Sequence, residues 1–354
     1  MLLIISQPTP HTMSNLTTWT MNASHSSEPL HGTVIDLFDQ WTKKSPERVA
    51  AEWQGKSLTY GALHDASLHV SRALLLAGVL PRARAPLLTQ MSLEILPPVI
   101  GILRVGSCYV PIDVAAWSRV RIEAALSEPA SPVAVITSPC PGLQLPTITC
   151  VWYSTARSSK TPRRKEAQGG RCLLAFSIAF DGCAAVVWTT LAKGATLVMA
   201  SPSDFPEVTT TCQSLNLTQS MLAALEPSGS YDHVRYISLG AYAPKLDVGR
   251  RWITKNRKVF TMYGPSETTC VISFIGELHP AQEVPFGELI PGVKVVWGDE
   301  EMKESNHGKV LISEPGLAAG YLNNLTLTAK KISNGTASAS TGQGISHARL
   351  KMDS

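Results

Sequence analysis

Short apolar runs alternate with stretches of helical spacing from about residue 49 to residue 263, and few architectures accept that rhythm. AAEW, CYVPID, PVAVIT, CLLAFS, ATLVMAS, VRYISLG and KVFTMYG have strand length and strand composition. Amphipathic stretches separate most of them, so each strand can return in the same direction as the last. The expected fold class is therefore α/β, built on layered, largely parallel sheets.

Helix boundaries are marked by residue chemistry. Val34, Leu37, Phe38 and Trp41 keep helical spacing after Gly32. In SLTYGALHDASLHVSRALLLAGV, Thr59 is the expected N-cap and Gly78 the stop, with Leu63, Ala66, Val70, Leu74 and Ala77 on one face. Ser92 is expected to open SLEILPPVIGILRVG, where Pro97 and Pro98 kink the helix or delay its start. Ser118 opens SRVRIEAALSE, and Gly194 ends FDGCAAVVWTTLAKG. Ser203 or Asp204 is expected to cap a helix over FPEVTTTCQSLN, followed by a shorter one near SMLAAL and another over KLDVGRRWIT. From Cys270 onward CVISFI, VKVVW and GKVLIS predict a small β-rich subdomain.

Three segments break the pattern. Residues 1–30 are rich in Ser, Thr, Asn and Pro and lack periodicity, and 333–354 have almost no large apolar residues, so a disordered leader and tail are expected around a domain spanning 31–332. Residues 154–171 carry six basic residues and one acid among Ser, Thr, Pro and Gly, and read as a solvated basic linker with a secondary attraction for phosphate.

With 354 residues and 44% hydrophobic content, the chain can fill two or three cores. Its net charge of +4 implies no nucleic-acid or membrane partner. Leu2 to Ile5 is too short for an export signal or a membrane span. Seven cysteines without a C-x-x-C pair read as reduced thiols in a cytoplasmic protein. His64 and His69 are expected at the surface, not on a metal.

Chemistry gathers at strand ends. Common phosphate-loop, dinucleotide, nucleophile-elbow and zinc-protease signatures are absent. YGPSETTC follows the strand KVFTM at its C-terminal end, the edge where layered α/β sheets bind ligands. Tyr263 offers a ring for stacking, Gly264 and Pro265 a tight turn, Ser266 a hydroxyl for phosphate, and Glu267 a carboxylate for a hard cation. The competing reading is an ordinary strand-to-strand turn. A second strand end lies at Ile237–Gly240, where backbone groups can meet a base edge. Asp181 opens an otherwise apolar helix and suits a ligand ammonium, or is a simple N-cap.

These residues fall within five ordered motifs. SLTYGALHDAS, GILRVGSCYVPID, FDGCAAVVW, TMYGPSETT and GKVLISEPGLAAGYLNNLTLTAKKI together resemble adenylation domains of nonribosomal peptide synthetases, in the adenylate-forming (AMP-binding) superfamily, over about residues 33–332. The resemblance implies the large N-terminal lobe of that fold. It implies activation of a small amino or carboxylic acid with ATP and Mg²⁺ to an acyl-AMP, then transfer to a carrier protein or another synthetase chain. It places Tyr263 on adenine, with Gly240, Ala241, Tyr242 and Gly264 around it, Ser266 at phosphate and Glu267 on Mg²⁺. Asp181 pairs with the substrate amino group. Gly182, Ala185, Ile237, Leu239, Met262, Cys270 and Val271 line an apolar acid pocket.

The chain also departs from that family. The glycine-rich phosphate loop expected before FDGCAAVVW is replaced by the linker 154–171. Neither the ribose-binding aspartate motif nor the lobe carrying the catalytic lysine follows LTAKKI, and no phosphopantetheine site is present. Tyr242 stands where many members have glutamate. The expectation is an incomplete adenylation domain with weak or no turnover alone. The alternatives are a non-catalytic nucleotide- or acid-binding protein, a synthetase-docking protein, or a mis-spliced product.

Overall fold

The computed structural model describes residues 3–4, 32–127, 133–138, 149–152, 159–160, 170–240, 246–270, 274–280, 289, 293–298, 309–313, 316–333 and 349–351. It divides into two units, Gly32–Ile237 and a second formed by Met1–His31 with Ser238–Ser354. In chain order β1 (Leu3–Ile4) belongs to the second unit. The first unit opens with α1 (Val34–Lys44), β2 (Val49–Trp53), β3 (Lys56–Thr59), α2 (Tyr60–Leu76), β4 (Arg84–Thr89) and α3 (Leu96–Arg104). It continues through β5 (Cys108–Asp113), α4 (Arg119–Ser127), β6 (Val133–Ile136), β7 (Thr149–Trp152), β8 (Ser159–Lys160) and β9 (Arg171–Leu174). Then come α5 (Asp181–Leu191), β10 (Thr196–Met199), α6 (Phe205–Thr209), β11 (Ser214–Thr218) and α7 (Gln219–Ala223).

Two sheets organise this unit. One runs β5-β4-β6-β7, every pair parallel. The other runs β11-β9-β10-β2 in parallel and ends in antiparallel β3 and β8. All four residues of β6 and all four of β10 are buried, as continuous apolar runs covered on both faces should be. Phe38, Leu63, Val70, Ile100, Val186 and Leu191 from the helices share one core cluster with Leu87, Val135, Leu174 and Leu197 from the sheets. Each such fully buried side chain stabilises the fold by roughly 1.5–3 kcal/mol.

Helix ends follow residue chemistry. Thr59 accepts the Ala62 N–H at 3.1 Å, and Gly78 takes φ +78° just past α2. Pro97 and Pro98 sit in the first turn of α3, where a missing N–H costs nothing, so they delay the helix behind a 3-10 turn at Leu93–Ile95. The Ser92 side chain makes no cap bond there. At Gly101 the helices α2 and α3 nearly touch: an added Cβ would lie 2.7 Å from Val70 Cβ.

The second unit carries β12 (Tyr236–Gly240, which starts at its boundary), α8 (Leu246–Arg250), β13 (Lys258–Tyr263), β14 (Phe274–Glu277), β15 (Lys294–Gly298) and β16 (Lys309–Ser313). It ends with β17 (Gly320–Tyr321), α9 (Leu325–Lys331), β18 (Ile332–Ser333) and β19 (Arg349–Lys351). Strands β15-β16-β19-β18 form an antiparallel sheet, the β-rich part expected from the sequence.

Several expectations need correction. Helix α6 stops at Thr209, and Ser214–Thr218 is a strand whose Leu215 and Leu217 face inward, where a single helix over 205–216 was expected. The run CVISFI does not belong to the β-rich sheet: its residues 274–275 open β14, which pairs antiparallel with β13. Leu3–Ile4 pairs with Gly320–Tyr321, and Arg349–Lys351 pairs within the β-rich sheet, so the stretches expected to be disordered contribute strand residues. Ser159–Lys160 of the basic linker pairs with Lys56–Ser57. His64 is not a bare surface side chain, because its Nδ1 lies 3.1 Å from Asp39 and 3.0 Å from Arg104 Nη2. Burial pushes the Asp39 carboxyl up, but hydrogen bonds and charge from Arg104, then His64, outweigh it and hold Asp39 below the usual range.

Candidate functional site

In the second unit, β13 delivers Tyr263 to the mouth of a tight reversal. Gly264 and Pro265 lead into a 3-10 turn at Ser266–Thr268, where the Thr268 N–H and hydroxyl both donate to the Pro265 carbonyl at 2.9 Å. Thr269 and Cys270 follow with φ of +54° and +76°, left-handed backbone that costs non-glycine residues of order 1 kcal/mol each. Such geometry persists only where neighbours hold it. The segment 316–321 does so. The Ala318 N–H donates to the Glu267 carbonyl at 2.7 Å, the Thr269 hydroxyl to the Gly316 carbonyl, and the Tyr321 hydroxyl to the Glu267 carboxylate. The chain then re-enters β14, with Tyr263 opposite Phe274. The stretch is thus a strand-to-strand turn and a pinned display of Tyr263, Ser266 and Glu267 at once.

Tyr263 is 43% exposed, and its phenol is pushed up first by burial and then by the Glu267 charge. Met262 and Leu239 sit inward of it on neighbouring strands β13 and β12; Leu239 is buried, and a Cβ built on Gly240 would meet only the Met262 methyl, at 4.0 Å. Among the described residues nothing closer crowds that side of the Gly240 backbone. Ala241, Tyr242 and Val271 lie outside the described residues. Among the described residues no three carboxylates, thiols or imidazoles cluster as a metal cage. A cation at Glu267 would therefore take one protein carboxylate and complete its shell from ligand oxygens and water, the usual habit of Mg²⁺ on phosphates.

In the first unit Asp181 is the first residue of α5 and follows the N-cap Phe180. One carboxylate oxygen accepts the Gly182 N–H at 2.7 Å, which fixes a negative charge at a helix N-terminus. It is thus a first-turn acid and not the N-cap itself. Phe176 and Phe180 meet edge to face at 5.1 Å over Gly182, and an added Cβ there would lie 2.7 Å from Phe180 Cε1. A side chain at Gly182 would have to push the Phe180 ring aside. Ala185 follows on α5, partly buried, and Ile237 is fully buried at the start of β12.

Sequence reasoning missed how α5 is held. The Ser177 hydroxyl donates to Asp113 Oδ2 at 2.5 Å and accepts the Ala179 N–H at 3.2 Å, while Asp113 Oδ1 accepts the N–H groups of Ala115 and Ala116. At the other end the Tyr60 hydroxyl donates to the carbonyls of Leu191 and Ala195, Trp41 Nε1 to that of Ala192, and Arg48 to that of Gly194. The aspartate ending CYVPID and the tyrosine of SLTY are thus anchors for the helix that carries Asp181. A surface cavity of about 250 Å³ lined by Thr210, Thr211, Ser230, Asp232 and His233 contains none of the predicted site residues. No helix among the described residues is long and apolar enough to cross a membrane.

Comparison with known proteins adds a family. The profile described as AMP-binding enzyme matches residues 38–150 and 146–322, two segments that meet just ahead of the basic stretch. Nonribosomal peptide synthetase sirP of Leptosphaeria maculans is 32% identical over 355 residues, covering 84% of this chain and 16% of that protein. The chain spans about a sixth of the length of such curated relatives. The N-terminal subdomain of Klebsiella oxytoca NpsA in complex with 3-hydroxyanthranilyl-AMSN superposes with TM-score 0.73 at 16% identity, over 90% of this chain and 94% of that one. An artificially fused adenylation-PCP di-domain, NpsA-ThdA from the same organism, gives TM-score 0.73 at 16% identity, over 90% and 70% of the two chains. At such identities these structures speak to the fold.

Proposed function

Because the chain belongs to the AMP-binding enzyme family, among the adenylation domains of nonribosomal peptide synthetases, we propose that it retains adenylate recognition and has lost its grip on the triphosphate. The observation that carries this reading is the pinned turn, which presents the half-exposed ring of Tyr263 beside Ser266 and Glu267 at the end of β13. Tyr263 stacks on adenine, the backbone at Gly240 accepts the base edge, Gly264 brings the chain close, and Ser266 donates to phosphate. Glu267 would hold Mg²⁺, which when bound would offset the charge of a nucleotide phosphate. Asp181 holds the ammonium of an amino-acid substrate, and Gly182 and Ala185 keep its surroundings small and apolar. The partner such a chain would meet is a carrier protein or another synthetase chain, within secondary-metabolite synthesis.

The lost half of the site rests on sequence. Residues 154–171 supply cations but not the glycine spacing that wraps phosphates. Removing even one preorganised donor from a charge-stabilising site costs roughly 10²–10³ in rate. Calorimetry with AMP, and acid-dependent exchange of labelled pyrophosphate into ATP, test the two halves separately. AMP should bind, and Tyr263→Ala should weaken it by roughly 1–3 kcal/mol, the usual worth of one base–aromatic stack. Exchange should not exceed that of Glu267→Ala. A flat AMP titration ends the first half of the proposal, and exchange well above the control ends the second.

A further inference from the structure

A side chain bonded to Glu267 lay within a quoted motif but was given no role from the sequence. Tyr321 lies 54 residues further on, in the segment EPGLAAGY, yet its hydroxyl donates to Glu267 Oε1. Tyr321 is 5% exposed and belongs to a small apolar cluster with Leu317, Ala318 and Ile332. Its N–H donates to Thr328 Oγ1 at 2.9 Å, and Thr328 in turn packs where a Cβ on Gly320 would stand. The ring therefore has little freedom, and its hydroxyl is delivered to one place. The Glu267 backbone is held by the same segment through the Ala318 N–H. Main chain and side chain of a single glutamate are thus fixed by two residues of one short stretch.

We infer that Tyr321 is the positioning residue for Glu267: its phenol orients the carboxylate so that one oxygen is tied and the other is aimed at a divalent cation bound with a nucleotide. This rests on the nucleotide and magnesium reading above. The physical reason is preorganisation. A glutamate has three rotatable side-chain bonds, and a cation that recruits it must freeze them. A phenol already bonded to one oxygen has done that beforehand. Outer-shell partners of metal-binding carboxylates typically change metal affinity by roughly 10–100-fold when removed. The cost should fall on the cation, because the Tyr321 hydroxyl is bonded to the Glu267 carboxylate itself.

The test is the Mg²⁺ requirement of ATP binding by the purified full chain, titrated from excess chelator upward, with AMP binding measured in chelator alone. Tyr321→Phe, which deletes one atom, should leave AMP affinity unchanged and raise the half-saturating Mg²⁺ roughly 10–100-fold. Glu267→Gln should raise it as well, and adding Tyr321→Phe to Glu267→Gln should change nothing further. An unchanged Mg²⁺ requirement in Tyr321→Phe overturns the inference while AMP binding stands. Independent, additive effects in the double variant overturn it too, since the phenol would then act elsewhere. A Tyr321→Phe chain that does not fold makes the hydroxyl a structural strut and also overturns it, and the single Glu267→Gln chain then still reports whether Glu267 serves a cation. Loss of AMP binding in the parent chain is a different result, and removes the underlying functional reading.

Discussion

Cys212 shows how one buried thiol ties stability to pH. It is fully buried between α6 and β11, its Sγ against the Val208 carbonyl at 3.4 Å. Burial pushes the thiol from its ordinary 9.0 up to about 12, against a smaller opposing pull from Arg171. Below pH 9 both the folded and the unfolded thiol are protonated, and the contribution to stability is complete. Between pH 9 and about 12 the unfolded chain alone sheds the proton, so stability falls as pH rises through that window. Tyr60, whose phenol is also pushed up by burial, acts in the same direction. The urea midpoint should therefore decline steadily above pH 9, and Cys212→Ala should decline less steeply. Parallel slopes for the two chains would show that the thiol contributes nothing. The sequence allowed Cys212 to be read as reduced and buried, but not how strongly its surroundings disfavour the thiolate, since Arg171 and Glu52 reach it from other strands.

At the scale of elements, α5 carries the argument because both of its ends are tied by distant side chains. Tyr60 is fully buried and its hydroxyl serves two carbonyls, Leu191 at 3.1 Å and Ala195 at 2.8 Å. Tyr60→Phe keeps the ring and takes the hydroxyl from the Ala195 carbonyl, while Leu191 keeps the Gly194 N–H, so unfolding free energy should fall by about 1–3 kcal/mol with an unchanged denaturant slope. Loss of the slope would instead mean that α5 melts apart from the rest. What was legible in the sequence was local. Thr59 and Gly78 bracket α2 because a cap hydroxyl and a positive-φ glycine act within a few residues. Pro97 and Pro98 fix where α3 begins for the same reason. The strand Ser214–Thr218 was misread because only Leu215 and Leu217 mark its inner face, and β9, the neighbour that pairs with it, lies forty residues earlier. Tyr263, Ser266 and Glu267 were found as a string of letters. Tyr321, Asp113 and Ser177 were not, because hydrogen bonds across 54 or 64 residues leave no periodic trace.

For the whole molecule, the question is what would distinguish ATP from AMP if, as proposed, the phosphate-wrapping loop is replaced. A glycine-rich loop grips phosphates with backbone N–H groups at short range, a grip that salt screens weakly. The stretch 154–171 carries six basic residues with one acid, Arg171 already paired with Glu52, and so offers an excess of positive charge in place of glycine spacing. Its attraction for the two additional phosphates of ATP is long-range and exposed to screening. The Debye length shrinks from about 10 Å at 0.1 M salt to about 3 Å at 1 M. The proposed stacking on Tyr263 would be indifferent to that change. AMP affinity should therefore hold nearly constant across this range, measured in chelator so that Glu267 plays no part, while any preference for ATP over AMP should be modest at low salt and vanish at high salt. Reversing Arg163, Arg164 and Lys165 to glutamate should abolish the low-salt preference and leave AMP binding intact. A preference for ATP that survives 1 M salt would require a preorganised phosphate grip, and the chain would then have to be treated as a working adenylating enzyme.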